Sequence, residues 1–235
     1  MAMKIRRDEQ INDVDGGWFR ARWHYSFDSY FDPDYVQFGT LRVFNDDRLV
    51  PGAIWPMHPH RDIEGLTYEV EGLFRHEDDV GGAPGPLPAG SVQRMTLGTG
   101  ARHSEQNAST TEGMRFIQIW IMPAQQGLAP GVEQKVFTKE DRTDTLLHVI
   151  SGEGGDAVRV HQDAHVFVSH LTPGTSVGRA LAAGRGVYLY VIEGDVRVNG
   201  EPMGTGDAAQ IQDEPRVAIE TAADSELILV DVSLR

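Results

Sequence analysis

The sequence contains no cysteine, and this absence excludes two kinds of site. Disulfide frameworks and thiolate metal centres both need cysteine side chains. Any metal centre in this chain must therefore use imidazole, carboxylate and water as ligands. That ligand set suits Fe(II), Mn, Ni, Cu or Zn.

Positive charge is also scarce, because 21 Lys and Arg stand against 35 Asp and Glu, and the formal net charge is -14. Direct binding of nucleic acid needs clustered Lys and Arg, so we do not expect it. Binding to an anionic membrane surface is not expected for the same reason. Residues 1–17 are charged and lack an apolar run, so we expect no signal peptide, no membrane span and a cytoplasmic location. The expected oligomeric state is a monomer.

Short strands separated by turn signals account for most of the chain. Residues 114–122 alternate in a two-residue period, and residues 36–44 predict a strand that Asn45, Asp46 and Asp47 close as a turn. No long segment has an apolar period of 3.6 residues, although a short helix is expected near residues 139–142. The predicted fold class is all-β, a sandwich or barrel.

The first 35 residues open polar and then become aromatic, with Trp18, Phe19, Trp23 and Phe27 close together. Two interpretations are open. This arm packs over the outside of a barrel, or part of it forms a wall of a pocket.

The two halves of the chain resemble each other. Residues 68–75 and 190–197 both begin with Tyr and turn at Glu-Gly, and a second glycine turn follows in each half. A repeated β-unit predicts two related barrels. We place the boundary in the connection that starts at residue 124. Residues 1–123 form a metal-binding barrel with its arm, and residues 124–235 form a barrel without ligands, since no His-x-His precedes the second Glu-Gly.

Two short motifs carry the candidate chemistry, His58-Pro59-His60 and His103-Ser104-Glu105. Residues i and i+2 of a strand point to the same face, so each pair aims at one place. If both pairs converge, three imidazoles and one carboxylate hold a divalent ion and leave positions open for water, O2 or substrate. Glu105 could then hold the ion and also accept a proton. The alternative is two unrelated polar pairs at strand ends.

These residues resemble the cupin superfamily. Gly52, the His58 and His60 pair, Glu64 and Gly72 follow the first cupin motif, and residues 88–90 match the Pro-x-Gly of the second. The second motif usually continues with a histidine, and Gln93 stands there instead. The first motif also usually supplies a glutamate ligand, which would be Glu64.

The sequence resembles the pirin branch of the cupins more closely than it resembles the general cupin motifs. Residues 58–61 and 98–105 are very similar to its signature, and the likeness covers nearly the whole chain. The resemblance implies a bicupin, two tandem jelly-roll barrels, of which the first holds iron and the second is empty. The implied ligands are His58, His60, His103 and Glu105, with Gln93 and Glu64 as neighbours only. Fe(II) is the expected ion, and Ni, Cu, Mn and Zn are alternatives.

Bacterial pirin-like proteins are similar to quercetin 2,3-dioxygenases, which open a flavonol ring with O2 and release carbon monoxide. The resemblance implies that activity here, with Glu105 as the catalytic base for the 3-hydroxyl. A second hypothesis is a non-catalytic pirin that senses metal or redox state and regulates a transcription factor or enzyme as its protein partner. A third, a metal-dependent isomerase or hydrolase, would not consume O2.

Five other histidines lack ligand-like neighbours in the sequence. They are His76, His148, His161, His165 and His170. We expect them outside the metal site, and we expect His161 and His165 on the surface.

Overall fold

A computed structural model describes residues 2–82 and 85–234 of the chain. Ala83 and Pro84, which belong to the loop predicted at residues 81–86, lie outside the described residues. Within the described part, no helix is both long enough and apolar enough to span a bilayer.

Strands make up most of the structure. The first half contains β1 (Met3–Arg6), β2 (Asn12–Asp15), β3 (Phe19–Trp23), β4 (Leu41–Leu49), β5 (Ile54–His60), β6 (Glu64–Glu71), β7 (Leu73–Asp78), β8 (Leu87–Pro88), β9 (Ser91–Thr96), β10 (Ala101–Asn107), β11 (Met114–Ile121) and β12 (Gly131–Val136). The second half contains β13 (Leu147–Ser151), β14 (Val158–Arg159), β15 (Ala164–Leu171), β16 (Ser176–Ala180), β17 (Arg185–Glu193), β18 (Asp195–Val198), β19 (Glu201–Gly204), β20 (Ala208–Gln212), β21 (Arg216–Thr221) and β22 (Ser225–Ser233). Short 3₁₀ helices span Asp8–Gln10 and Glu140–Arg142, and the second of these lies where a short helix was predicted.

In residues 2–82 and 85–234 the strands form four sheets, arranged as two barrels. The first barrel combines a seven-stranded sheet, β12-β9-β6-β11-β4-β3-β2, with a four-stranded sheet, β5-β10-β7-β8. The second combines β1-β20-β17-β22-β15-β13-β14 with β16-β21-β18-β19. The all-β fold with two cupin barrels is thus confirmed.

The barrels exchange strands at their edges. Strand β1, from the start of the chain, pairs with β20 of the second barrel. Strand β12, which lies beyond residue 124, pairs with β9 of the first barrel. The boundary between residues 123 and 124 stays a prediction, and each barrel's sheet includes one strand from the other side of it.

The two seven-stranded sheets pack against each other. One hydrophobic cluster contains buried side chains from both, among them Leu66 and Ile119 of the first barrel and Val166, Tyr190 and Val230 of the second. Alternation places these side chains on one face of each sheet. The other faces line the barrel interiors.

The two interiors differ in polarity. Inside the second barrel one apolar cluster is built on both of its sheets, with Phe167, Leu189 and Ile219 among its members. Inside the first barrel there are two smaller clusters, one containing Phe116 and the other Met95. Between them a row of paired residues crosses the seven-stranded sheet, and its members are polar: Asn45, Gln118, Thr67, Gln93 and Gln134. The first barrel is therefore the one built to hold a polar site.

The glycine turns of the repeat occupy equivalent places. Gly72 separates β6 from β7 with φ of 99°, and Gly194 separates β17 from β18 with φ of 96°. A β-carbon on Gly72 would lie 2.6 Å from the carbonyl oxygen of Gly113. Both the left-handed backbone and the close approach therefore require glycine.

The turn predicted at Asn45, Asp46 and Asp47 is wrong. Strand β4 continues through all three residues to Leu49. Asp46 is buried and accepts hydrogen bonds from Arg115 of β11, at 2.9 and 2.7 Å. Partners distant in sequence thus override the local turn propensity of these residues.

Candidate metal centre

Pairing between β5 and β10 brings the two sequence motifs together. His58 lies directly opposite His103, and His60 lies opposite Ala101. The ligand nitrogens of His58, His60 and His103 all lie within 4.8 Å of one another. A β-bulge in this pairing falls between His103 and Glu105. Bulges re-aim side chains beside functional sites, and this one shifts the register between the two predicted ligands of β10.

Hydrogen bonding and burial prepare the imidazoles to act as ligands. The Nδ1 of His58 donates to the carbonyl oxygen of Pro56 at 2.7 Å, which leaves its Nε2 lone pair free. Burial lowers the pKa of His103 to about 2, and the neighbouring imidazoles add to this effect. Burial also lowers the pKa of His60 to about 4, with a smaller contribution from His58. At neutral pH the rings of His60 and His103 are therefore uncharged.

Glu105 is buried beside this group, although it is not one of the close set of three. Its two carboxyl oxygens accept hydrogen bonds from Nε2 of Gln118 at 3.3 and 3.4 Å. Burial raises the pKa of Glu105 to about 7, against the opposing effect of the Gln118 hydrogen bond. The carboxyl group is thus balanced between its two protonation states near neutral pH.

These residues fit a divalent cation. Both ring nitrogens of His103 are buried without a hydrogen-bond partner in the described structure. Buried polar atoms normally have partners, so this ring is poised for a ligand that the protein does not supply. Neutral imidazole with a nearby carboxylate is a donor set for Fe, Ni, Cu, Mn or Zn. The assignment of His58, His60, His103 and Glu105 as the ligands remains a prediction.

A cavity of about 330 Å³ opens beside the histidines. Cavities that hold small ligands measure about 300–1,000 Å³. Six aromatic side chains line it: Trp18, Phe19, Trp23, Phe27, Trp55 and Trp120. Four of the six belong to the N-terminal arm, so of the two interpretations of that segment the pocket wall is confirmed. The walls suit a flat, apolar ring system.

The same cavity has polar walls on its two opposite sheets. His58, His60 and Glu105 come from the four-stranded sheet, and Asn45, Asp47 and Gln118 come from the seven-stranded sheet. Asn45 and Asp47 were not predicted as site residues, because their residue types favour a turn. A usable signal was present, since Leu41, Val43, Asn45, Asp47 and Leu49 continue one two-residue alternation.

Glu64, the usual carboxylate of the first cupin motif, faces away from this cavity. Its oxygens accept hydrogen bonds from the Thr96 hydroxyl at 2.7 Å and from the backbone N–H of His161 at 2.6 Å. The His161 ring also lies 2.8 Å from Glu64, while 34% of the His161 side chain remains exposed, so His161 lies at the surface as predicted and contacts the first barrel from there. Glu64 connects the two barrels.

Among the other histidines, His165 differs from expectation, and His76 lies outside the close group of three but contacts it. His165 is buried and lies 3.2 Å from His148, so its predicted surface position is wrong. His76 packs against His103 with ring centroids 5.4 Å apart. It is held between Asp78 and Gln93, each at 3.1 Å, and so fills the space behind the metal group.

Two cupin barrels, one of them containing a histidine group and an aromatic cavity, define a bicupin with a candidate metal centre. Comparison with known proteins refines this class. The pirin family model matches residues 4–121, and the model of the quercetinase C-terminal cupin domain matches residues 148–232. The chain is 39% identical to a pirin-like protein of Caulobacter vibrioides over 96% of this chain and 97% of that one. The chain belongs to the pirin family.

Two further similarities bear on function. The chain is 37% identical to a protein of Escherichia coli K12 named quercetin 2,3-dioxygenase, over 97% of both chains. It also matches the crystal structure of the Escherichia coli pirin YhhW in complex with nickel(II), with a TM-score of 0.92 and 36% identity, over 98% of this chain and 99% of that one.

Proposed function

We propose that this protein is a metal-dependent dioxygenase that opens a flavonol or a similar aromatic enol with O2, as a quercetin 2,3-dioxygenase does. The observation that carries the proposal is a buried carboxyl group, Glu105, beside three imidazoles in a cavity walled by aromatic rings. The names of the similar proteins support the same activity. His58, His60, His103 and Glu105 are the proposed ligands of one divalent ion, for which Fe(II) is our first choice.

Glu105 is the proposed proton acceptor. The O–H bond of the substrate's 3-hydroxyl breaks, its proton passes to a carboxyl oxygen of Glu105, and the substrate keeps the electron pair as an enolate. Burial raises the pKa of Glu105 to about 7, and a cation bound beside it would lower that pKa and favour the carboxylate form that accepts the proton. When bound, the divalent ion supplies positive charge that favours the enolate and lowers the pKa of that hydroxyl.

Other residues position the Glu105 carboxyl group and the substrate. Gln118 donates to both oxygens of Glu105 and so fixes the orientation of the carboxyl group. Trp120 contacts the ring of His60 at a centroid distance of 4.8 Å and belongs to the aromatic wall. The aromatic side chains hold the flat ring system and exclude water from it. Both atoms of O2 enter the ring-opened ester, and the carbon that carried the 3-hydroxyl leaves with its own oxygen as carbon monoxide.

The test uses protein purified without oxygen, analysed for metal content and then mixed with quercetin and O2. We expect stoichiometric metal, O2 uptake and release of carbon monoxide. Glu105→Gln should lower kcat by about 10²–10⁴-fold, the usual contribution of a general base. Glu77→Gln, at an exposed position on the neighbouring strand β7, is the matched control and should keep full activity.

His58→Ala supplies the metal-free baseline. Turnover by the wild-type protein no higher than by His58→Ala would overturn the dioxygenase proposal. Bound metal together with absent turnover would favour the regulatory hypothesis. Turnover that does not consume O2 would favour an isomerase or hydrolase.

A further inference from the structure

Three buried polar groups face the cavity without a hydrogen-bond partner in the described protein. They are the indole N–H of Trp23, both ends of the Asn45 amide, and Oδ1 of Asp47. The relative exposures of these residues are 4%, 1% and 2%. Buried polar atoms in folded proteins nearly always have partners, so a cluster of three needs an explanation.

These groups share one face of neighbouring strands. Trp23 of β3 lies directly opposite Asn45 of β4, and Asn45 lies directly opposite Gln118 of β11. Asp47 follows Asn45 by two residues and so points to the same side. Neighbouring strands are about 4.8 Å apart, so the row extends outward from Gln118 by one strand spacing to Asn45 and by two to Trp23. Gln118 itself is engaged with Glu105. The unpartnered groups therefore form a second polar strip next to the proton acceptor.

The chemistry of the strip is complementary to hydroxyl groups. Trp23 can only donate a hydrogen bond, and Asn45 can donate and accept. Burial raises the pKa of Asp47 well above its ordinary value, and a protonated carboxyl group both donates and accepts. A ring hydroxyl both donates and accepts, so neighbouring hydroxyls on one aromatic ring could engage all three. Trp23 and Phe27 pack edge to face at 5.3 Å, and Phe27 packs in the same way on Trp120. The strip is therefore flanked by rings suited to hold an aromatic plane.

We propose that Trp23, Asn45 and Asp47 form a hydroxyl-recognition strip that makes the protein select aromatic substrates with several ring hydroxyls. The hydroxyls it binds are distinct from the one that gives its proton to Glu105. This inference rests on the proposed function and adds the substrate class to it.

A purely structural role makes a different prediction. A polar side chain that stabilises the fold should have partners in the protein, as Asp46 has on the other face of β4. Within residues 2–82 and 85–234, the atoms of Asn45 and Asp47 that face the cavity have no such partner. Replacing Asn45 by leucine, of similar volume, should therefore leave thermal stability unchanged or raise it while weakening recognition.

The experiment compares two ligands, quercetin and 3-hydroxyflavone, which has the 3-hydroxyl and no other hydroxyl group. Binding is measured without O2 by quenching of tryptophan fluorescence, and turnover is measured separately as kcat/KM. The wild-type protein should prefer quercetin, and Asn45→Leu should reduce the ratio of the two affinities by about tenfold, the upper range for one neutral hydrogen bond. Asp47→Leu should reduce the ratio by a similar factor.

One control variant and one further test variant complete the experiment. Asn12→Leu makes the same substitution at a residue directly opposite Trp23 on β2 that does not line the cavity, and it should keep the wild-type ratio. Trp23→Phe keeps an aromatic ring in the wall and removes the N–H together with part of the indole. The lost ring area affects both ligands, so the loss of the N–H should lower quercetin affinity more than 3-hydroxyflavone affinity. If Asn45→Leu does not fold, Asn45→Ala removes the same amide without added bulk, and the same loss of preference is expected.

The outcomes separate this inference from the proposed function. Binding that prefers quercetin in the wild-type protein, without turnover, would overturn the dioxygenase proposal and leave the recognition strip supported. Turnover with an unchanged affinity ratio in Asn45→Leu and Asp47→Leu would support the dioxygenase and overturn the strip. Absence of binding to both flavonols would overturn both.

Discussion

Asp46 provides the strongest stability prediction, because its carboxylate is buried between the two barrels. Its two oxygens accept hydrogen bonds from Nε and Nη2 of Arg115 at 2.9 and 2.7 Å. Tyr190, from the second barrel, donates its hydroxyl to the same carboxylate at 2.6 Å. Arg115 also donates to the carbonyl oxygen of Ile192 at 3.2 Å. One ion pair therefore holds β4 and β11 to β17 of the other barrel.

The perturbation is Asp46→Asn, which keeps the size of the side chain and removes its charge. Arg115 would then be left buried beside a neutral group, and its other acidic contact, Glu193, lies 3.4 Å away and is well exposed. Breaking a buried pair by removing one partner costs about 3–5 kcal/mol. For a chain of this length each kcal/mol lowers Tm by roughly 2–4 °C, so we expect a drop of roughly 6–20 °C.

The assay is equilibrium unfolding in urea, followed by circular dichroism and by tryptophan fluorescence. Asp13→Asn is the matched control, because the Arg20–Asp13 pair has side-chain exposures of 62% and 37% and should cost only about 0–1 kcal/mol. The triple variant Asp46→Leu, Arg115→Met and Tyr190→Phe should recover most of the lost stability, since it replaces the buried pair and the hydroxyl bonded to it by apolar groups. A loss below about 1 kcal/mol in Asp46→Asn would refute the reasoning drawn from a buried ion pair.

The ion pair between Asp46 and Arg115 also predicts how the stability of the protein changes at low pH. Burial alone would raise the pKa of Asp46, but the hydrogen bonds and charge of Arg115, with help from Tyr190, outweigh burial and hold it below its usual range. A carboxyl whose folded pKa is lowered stabilises the protein above its unfolded pKa of about 3.9, and this contribution is lost as pH falls through the folded value. The stability difference between wild type and Asp46→Asn should therefore narrow below about pH 4.

Three further predictions follow from the structure. Divalent metal at one hundred times its Kd should raise the unfolding free energy by about 2.7 kcal/mol, as measured by thermal melts with and without chelator. His103→Ala should abolish this gain. An equal gain in the variant would exclude His103 as a metal ligand. Burial lowers the pKa of His24 to about 3, so its contribution to stability is full well above pH 6.5 and falls as the pH decreases. Between pH 7 and 5 the unfolding free energy of the wild type, measured in urea titrations, should fall by about 2 kcal/mol more than that of His24→Phe. Parallel pH profiles of the two proteins would contradict this prediction. Gly72→Ala should lower the unfolding free energy by about 2–3 kcal/mol, because the residue has a φ of 99° and its new β-carbon would press on a carbonyl oxygen. Gly52→Ala, where a β-carbon would meet no described atom within 4 Å, should lower it by about 1 kcal/mol. Similar losses in the two variants would show that relaxation relieves the close contact at Gly72.

Much of the fold could be predicted from the sequence because a strand's periodicity is local. The alternation in β11 correctly separated Ile117, Ile119 and Ile121, which enter the core between the barrels, from Gln118, which faces the cavity. The two Glu-Gly turns predicted the repeat because a left-handed residue is a property of its own backbone. The His58 and His60 pair was also predictable, since its shared direction depends only on the spacing of two residues.

Other features could not be predicted, because their partners are distant in the chain. The residues around Asp46 have a local propensity for a turn. The groups that hold Asp46 in a strand are Arg115 and Tyr190, which lie 69 and 144 positions away in the chain. Glu64 stands where a metal ligand is usual, and its actual partner His161 is 97 positions away.

The sequence by itself determined the all-β class, the repeat and the pairs of side chains that point together, because each depends on dihedral preference and short spacing. Only the tertiary structure decided that the three histidines meet beside an aromatic cavity, and that Asn45 and Asp47 line its wall. Which strands become neighbours depends on the packing of whole sheets, and that packing brings together side chains that are distant along the chain.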